Sequence, residues 1–94
     1  MRLKISRVKF TPASREQCEV GLLGWIACRL NHDLQLDGLT LRRGLDGRLR
    51  LNFPARRDSR QRQRFYLRPI GDRARRAIEQ QVFQALRLHE AEVR

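Results

Sequence analysis

Acidic side chains are scarce in this sequence, ten Asp and Glu against 21 Lys and Arg in 94 residues, which leaves a net charge of +11 and a pI near 11.6. A chain so cationic excludes basic partners and points to polyanions. Lysine is nearly missing as well, since 19 of the 21 basic residues are arginine. Arginine's planar fork holds phosphate in a bidentate way, stacks on bases and keeps its proton. A GC-rich genome would produce the same Arg/Lys bias without any function, but it would not produce the net charge.

Histidine and cysteine number two each. No Cys/His cluster has zinc spacing, no Gly-rich loop resembles a Walker motif and no nucleophile elbow is present. His32 sits in a turn beside Asp33 and His89 near the chain end on an apolar arc, so both read as structural. No metal, cofactor or small-molecule substrate is expected, and the chain is not read as an enzyme, although an active site of scattered carboxylates would leave no motif. The opening stretch alternates charged and apolar side chains without an uninterrupted hydrophobic run, which excludes a secretion signal or membrane span there. A cytoplasmic, reducing location is the expectation. Cys18 and Cys28 read as members of one continuous strand, where ten residues at ~3.3 Å each would hold them ~33 Å apart and prevent an intrachain disulfide.

What the sequence does have is a hydrophobic content of 40%, enough to separate it from disordered basic tails. Residues 1–94 read as a single domain. Leu3 and Ile5 lie on one parity and Val8 and Phe10 on the other, which predicts a strand with a bulge near Ser6 and Arg7. From Cys18 the even positions run Val20, Leu22, Gly24, Ile26, Cys28 and Leu30 while the odd ones include Glu19, Gly21, Arg29 and Asn31, the clearest strand pattern here. Leu34 and Leu36 change parity to Leu39 and Leu41 across Asp37 and Gly38, a third, bulged strand reached by a hairpin. Asp46 and Gly47 predict a second hairpin into Leu49, Leu51 and Phe53. Phe65, Tyr66 and Leu67 suggest a short edge strand that Pro69 closes.

Asp72 is the expected N-cap of a helix running to about Glu92. Its apolar arc is Ala74, Ala77, Ile78, Val82, Ala85, Leu86 and His89. Phe83 falls off that arc, either under a loop or in a subunit contact. The expected fold is α+β: a twisted antiparallel sheet of four to five strands with one C-terminal helix packed on it.

Charge is concentrated in the middle of the chain. Residues 42–76 hold thirteen arginines and three acids (Asp46, Asp58, Asp72), or +10 of the total +11. The stretch 56–64 holds five of these arginines with a single acid and no apolar residue, and reads as a solvated loop. Arg73, Arg75 and Arg76 stand in the first helical turn, where the macrodipole disfavours cations by ~0.3–1 kcal/mol each. Such a conflict suits a site where helix amides and guanidinium groups hold one anion. The plain alternatives are a solvated charge run and the good helix propensity of arginine. Phe65 and Tyr66 offer faces for an unpaired base, with one of them expected in the core. Trp25 is either a platform of the same kind or packed under the helix or at a dimer interface.

Pro54, Ala55, Arg56 and Arg57, followed by Arg68, Pro69 and Ile70 and then Arg75 and Ile78 to Val82, fall at the spacing of a known family. Leu30, Asn31, Gly38, Leu39, Asp46 and Gly47 fit upstream with a one-residue length difference. The chain resembles the SpoVG group, small bacterial proteins named for roles in sporulation and septation. The resemblance implies a homodimer formed through strand contacts and site-preferring DNA and RNA binding by a regulator, with Arg56, Arg57 and Arg75 carried over as binding residues. Gln61 stands where the family has glycine and Arg68 where histidine is common, and the 22–26 stretch is bulkier than the family pattern.

The sequence therefore leads to a nucleic-acid-binding regulatory protein. Arg56, Arg57, Arg60, Arg62 and Arg64 would neutralise phosphates, Arg75 and the helix start would fix register, and Arg42, Arg43, Arg68, Arg73 and Arg76 would complete the surface. The rival reading is an interaction protein of cell division whose basic face docks an acidic protein. A small nuclease is the third.

Overall fold

The structure, a computed structural model, describes residues 2–87. Strands β1 (Ile5–Pro12), β2 (Leu22–Leu30), β3 (Leu34–Arg43) and β4 (Leu49–Asn52) form an antiparallel sheet in that order. A short helix α1 (Arg15–Glu19) lies between β1 and β2. A separate hairpin of β5 (Ala55–Arg57) and β6 (Gln63–Phe65) precedes the C-terminal helix α2 (Gly71–Ala85). The α+β fold read from the sequence is the one observed, with α1 and the second sheet added to it.

The parity changes in the sequence are bulges. Register slips between Ser6 and Lys9 of β1, where Arg7 takes φ 53°, and between Leu36 and Leu39 of β3. Gly38 adopts φ 78° at the second slip, a backbone that glycine enters without a Cβ penalty, so Leu36 and Leu39 both reach the core. A third slip, between Leu22 and Gly24, turns Leu23 toward the core and Leu22 away from it. Gly24 serves close approach: a Cβ there would fall on the Thr11 carbonyl oxygen and within 2.6 Å of the Phe10 ring.

Ile26, Cys28, Leu36, Leu39, Leu41, Leu49, Leu51 and Phe53 supply the sheet side of the core, and Ile78 and Val82 of α2 supply the other. Two polar side chains fix the helix to the two edges of the sheet. Gln81 accepts a hydrogen bond from the Ile5 N–H (2.7 Å) and donates to the Leu3 carbonyl (2.9 Å) beside β1. Glu79 accepts from the Leu51 N–H of β4 (3.0 Å). Edge groups that would otherwise lack partners in the sheet are satisfied this way. At the N-terminal end, Lys4 and Asn31 exchange hydrogen bonds, N–H of Lys4 to Asn31 Oδ1 and N–H of Asn31 to the Lys4 carbonyl.

Several local expectations are corrected. Cys18 belongs to α1 and not to a continuous strand, so the ~33 Å separation argued from strand rise does not apply; both cysteines are free thiols. Ser14 caps α1 in a capping box with Gln17, a signature present in the sequence at Ser14 to Gln17. The N-cap of α2 is Ile70, which has no side-chain acceptor, and Asp72 lies in the first turn. The helix ends at Ala85, with Arg87 at φ 56°, so it does not run to Glu92; Glu92 and His89 lie outside the described residues. Ala85 is exposed, whereas Phe83 packs against the core. No helix of the described residues is long and apolar enough to cross a membrane.

Removing side chains from this assembly should show how it is held. Ile78→Ala, which removes a buried core side chain, should cost about 2–4 kcal/mol in urea unfolding. Glu79→Ala, which strands the Leu51 amide, should cost about 1–2 kcal/mol.

Candidate nucleic-acid interface

The arginine-rich stretch expected as a loop is an ordered hairpin. Phe53 is buried as the chain leaves β4, Pro54 interrupts the ladder because it has no N–H, and the chain turns out of the main sheet into β5. Ala55 pairs with Phe65, Arg56 with Arg64 and Arg57 with Gln63, and the Tyr66 N–H continues the ladder to the Pro54 carbonyl at 2.9 Å. Like charges directly opposite one another, such as Arg56 and Arg64, destabilise a strand pair. Something must offset them.

Asp58 does so. Its Oδ1 accepts from the backbone N–H groups of Arg60 and Arg62, both at 2.9 Å, and its Oδ2 lies 3.1 Å from Nε of Arg64 and 3.7 Å from Nε of Arg62. The Asp58 N–H donates to the Arg62 carbonyl and its own carbonyl accepts from the Gln61 N–H, which closes the turn. Arg57 adds a hydrogen bond from Nη1 to the Gln61 carbonyl at 2.8 Å. Gln61 takes φ 63°, a left-handed conformation that glycine adopts without strain. That gives a physical reason for a glycine at this point of the chain. The Arg62 N–H, then the Arg60 N–H and the Arg64 side chain, hold the Asp58 carboxyl below the usual aspartate range.

The result is a tip carrying five arginines, three of which, Arg60, Arg62 and Arg64, are bonded to one carboxylate. Arg56, Arg57, Arg60, Arg62 and Arg64 are all exposed. Of the thirteen arginines in 42–76, the described ion pairs engage Arg62 and Arg64 with Asp58 and Arg50 with Asp46, and the other ten have no carboxylate partner among the described residues. Phe65 and Tyr66 at the base of the hairpin are 44% and 70% exposed, so both rings are available, not one as expected.

The remaining predicted residues do not all join this tip. Arg42 faces Arg50 across β3 and β4 on the side of the sheet away from α2, while Arg43 pairs with Leu49 on the helix side; the two cannot share one surface of the sheet. Arg42 lines a cleft of about 340 Å³ with Thr40, Asn52, Pro54, Ala55 and Gln63, which joins the outer sheet face to the hairpin. Arg68 is exposed in the 66–70 connection.

On α2, Arg75 lies one turn before Glu79, hence on the β4 side that leads to the hairpin. Arg76 points to solvent. Arg73 turns to the β1 side, where it lines a groove with Arg2, Lys4, Ile70, Ala77 and Gln81. Arg2 and Lys4 were not among the sequence candidates, because nothing in their local pattern places them beside the helix start.

The role of Asp58 in ordering the hairpin was also missed from the sequence. The available signal was an Asp at the first position of a turn, where its side chain commonly receives backbone N–H groups two residues on. His32 is exposed in the β2–β3 turn at φ 68°. Burial, with Asp37 adding to it, raises the Cys28 thiol above its ordinary pKa, which keeps it protonated and unreactive at neutral pH. Among the described residues, no group of three or more His, Cys, Asp or Glu is placed to hold a metal.

No protein-family model matches the chain, and no curated protein matches it significantly.

Because its folded pKa is depressed, Asp58 contributes order to the hairpin that is complete above the ordinary aspartate pKa of ~3.9 and is lost as pH falls through the lower folded value. Hydrogen exchange should therefore show the amides of Arg60, Arg62 and Tyr66 losing protection in Asp58→Ala at neutral pH, and in the native chain only under acid, with the β2–β3 amides unchanged in both cases.

Proposed function

We propose that this protein is a nucleic-acid-binding regulator of the kind the SpoVG group represents, acting as a homodimer through the β5–β6 hairpin and the start of α2. The observation that carries the reading is the hairpin itself: five exposed arginines on a tip ordered by one carboxylate, with two exposed aromatic rings at its base. A solvated charge run would have no reason to be pinned. Ordering the side chains in advance reduces the entropy lost when they meet phosphate, and an anion can replace Asp58 at Arg62 and Arg64.

Phosphate contacts belong in this reading to Arg56, Arg57, Arg60, Arg62 and Arg64, with Arg75 and the uncapped amides of α2 as a second contact on the β4 side. Arg68 and Arg76 extend the cationic field, Arg42 extends it onto the sheet, and Arg73 with Arg2 and Lys4 forms a separate flank. DNA and RNA both present the required backbone.

The rival reading, docking of an acidic division protein, would rest on the apolar face of strand two and on Phe83 more than on the hairpin. Phe83 is packed against the core, which takes one of those two contacts away.

Charge reversal separates the two readings. The double variant Arg56→Glu, Arg57→Glu should retain the native circular dichroism spectrum and lose at least about a hundredfold in affinity for labelled DNA and RNA in fluorescence anisotropy, since two phosphate contacts are replaced by two repulsions. Unchanged nucleic-acid affinity in this variant would exclude the hairpin as the interface.

A further inference from the structure

The core uses one face of the four-stranded sheet, and the other face carries a different set of residues. Thr11, Trp25, Thr40 and Asn52 stand directly opposite one another on β1, β2, β3 and β4, making a single row across the whole sheet. Their neighbours along the strands, Ile26, Leu39, Leu41 and Leu51, are buried under α2, so this row points the opposite way. Trp25 stands in the row between two threonines and is 38% exposed.

Cations flank the row on both sides. Lys9 lies two residues from Thr11 on β1, opposite Ala27, and Arg42 and Arg50 lie two residues from Thr40 and Asn52, opposite each other. Arg50 is paired with Asp46 at 3.2 Å; Lys9 and Arg42 have no carboxylate partner among the described residues. The cleft lined by Thr40, Arg42, Asn52, Pro54, Ala55 and Gln63 runs from this row to the base of the arginine hairpin.

We propose that the outer sheet face is a binding surface for single-stranded nucleic acid, on which an unpaired base stacks on Trp25 while Lys9 and Arg42 hold the flanking phosphates. The inference rests on the nucleic-acid reading above and specifies its substrate as unpaired. A duplex keeps its base faces stacked internally and offers a flat sheet only its backbone, whereas a single strand can splay a base onto an aromatic ring. Thr11 and Thr40, on the strands either side of Trp25, place hydroxyl groups next to it, and Asn52 adds an amide one strand further along the row. The strand leaves the hairpin, follows the Arg42 cleft and crosses the sheet along the row, so the hairpin and the sheet face form one continuous path.

Trp25 is the sole tryptophan, so its fluorescence reports the site without a label. Single-stranded oligodeoxythymidylate and oligouridylate should quench and shift its emission on saturation, and a duplex bound through the hairpin should leave it nearly unchanged. Trp25→Ala should weaken single-strand binding by roughly five- to a hundredfold, as expected for loss of one stacked base, with duplex affinity unaltered and the thermal unfolding cooperative. Trp25→Phe should recover most of the lost affinity.

Single strands that bind by anisotropy without altering the fluorescence, or that bind Trp25→Ala as tightly as the native chain, would overturn the sheet-face site and leave the hairpin reading standing. Equal quenching by duplex would overturn the assignment to unpaired bases. Absence of binding by any nucleic acid would remove both.

Discussion

The order of the arginine-rich hairpin depends on the carboxylate of Asp58. Five arginines in nine residues repel one another, and without a counter-charge the stretch from 56 to 64 would be the solvated loop its composition suggests. Placed at the first position of the turn, Asp58 receives two backbone N–H groups on one oxygen and two guanidinium groups on the other. The same group thus closes the turn and partly neutralises the charge that would open it. Exposed ion pairs contribute little to global stability, so this arrangement matters for where the arginines stand more than for how firmly the domain folds.

The rest of the fold supplies a base for the hairpin. Phe53 anchors it in the core, and α2 is held across the sheet by Gln81 at the β1 side and Glu79 at β4. The pair sets the rotation of the helix about its axis, which decides where its arginines go. With Ile78 and Val82 turned into the core and Glu79 bonded to β4, Arg75 faces the hairpin side and Arg73 the opposite one. Clamping the helix on one face also leaves the other face of the sheet to Trp25 and its row.

Much of the sheet was legible because each parity change in the apolar pattern corresponds to a bulge: Ser6 to Lys9 in β1 and Asp37 with Gly38 in β3. The Asp46 and Gly47 turn and the core pair Ile78 and Val82 were legible for the same reason, periodicity set by burial. The start of β2 was misread because Cys18, Val20 and Leu22 continue an alternating pattern that a five-residue capped helix interrupts. The helix start was misread because Asp72 looks like a cap, yet the cap is Ile70 and the helix begins two residues earlier than expected, at Gly71 with φ 79°. The arginine segment was legible as charge and not as structure. Composition describes what a run of side chains repels, and the order here comes from one acidic residue whose role depends on turn geometry. Opposite faces for Arg42 and Arg43 follow from strand alternation and were available from the sequence.

A cationic hairpin that meets polyanion backbone releases counterions from it, which makes salt the most direct probe of the account. If six to eight side chains of the proposed interface contact phosphate in the proposed homodimer, the logarithm of the association constant should fall against the logarithm of salt concentration with a slope of about −5 to −7. Fluorescence anisotropy of labelled DNA and RNA across a salt series gives that slope, and an affinity indifferent to salt would contradict the proposal that guanidinium groups of this hairpin bind a phosphate backbone.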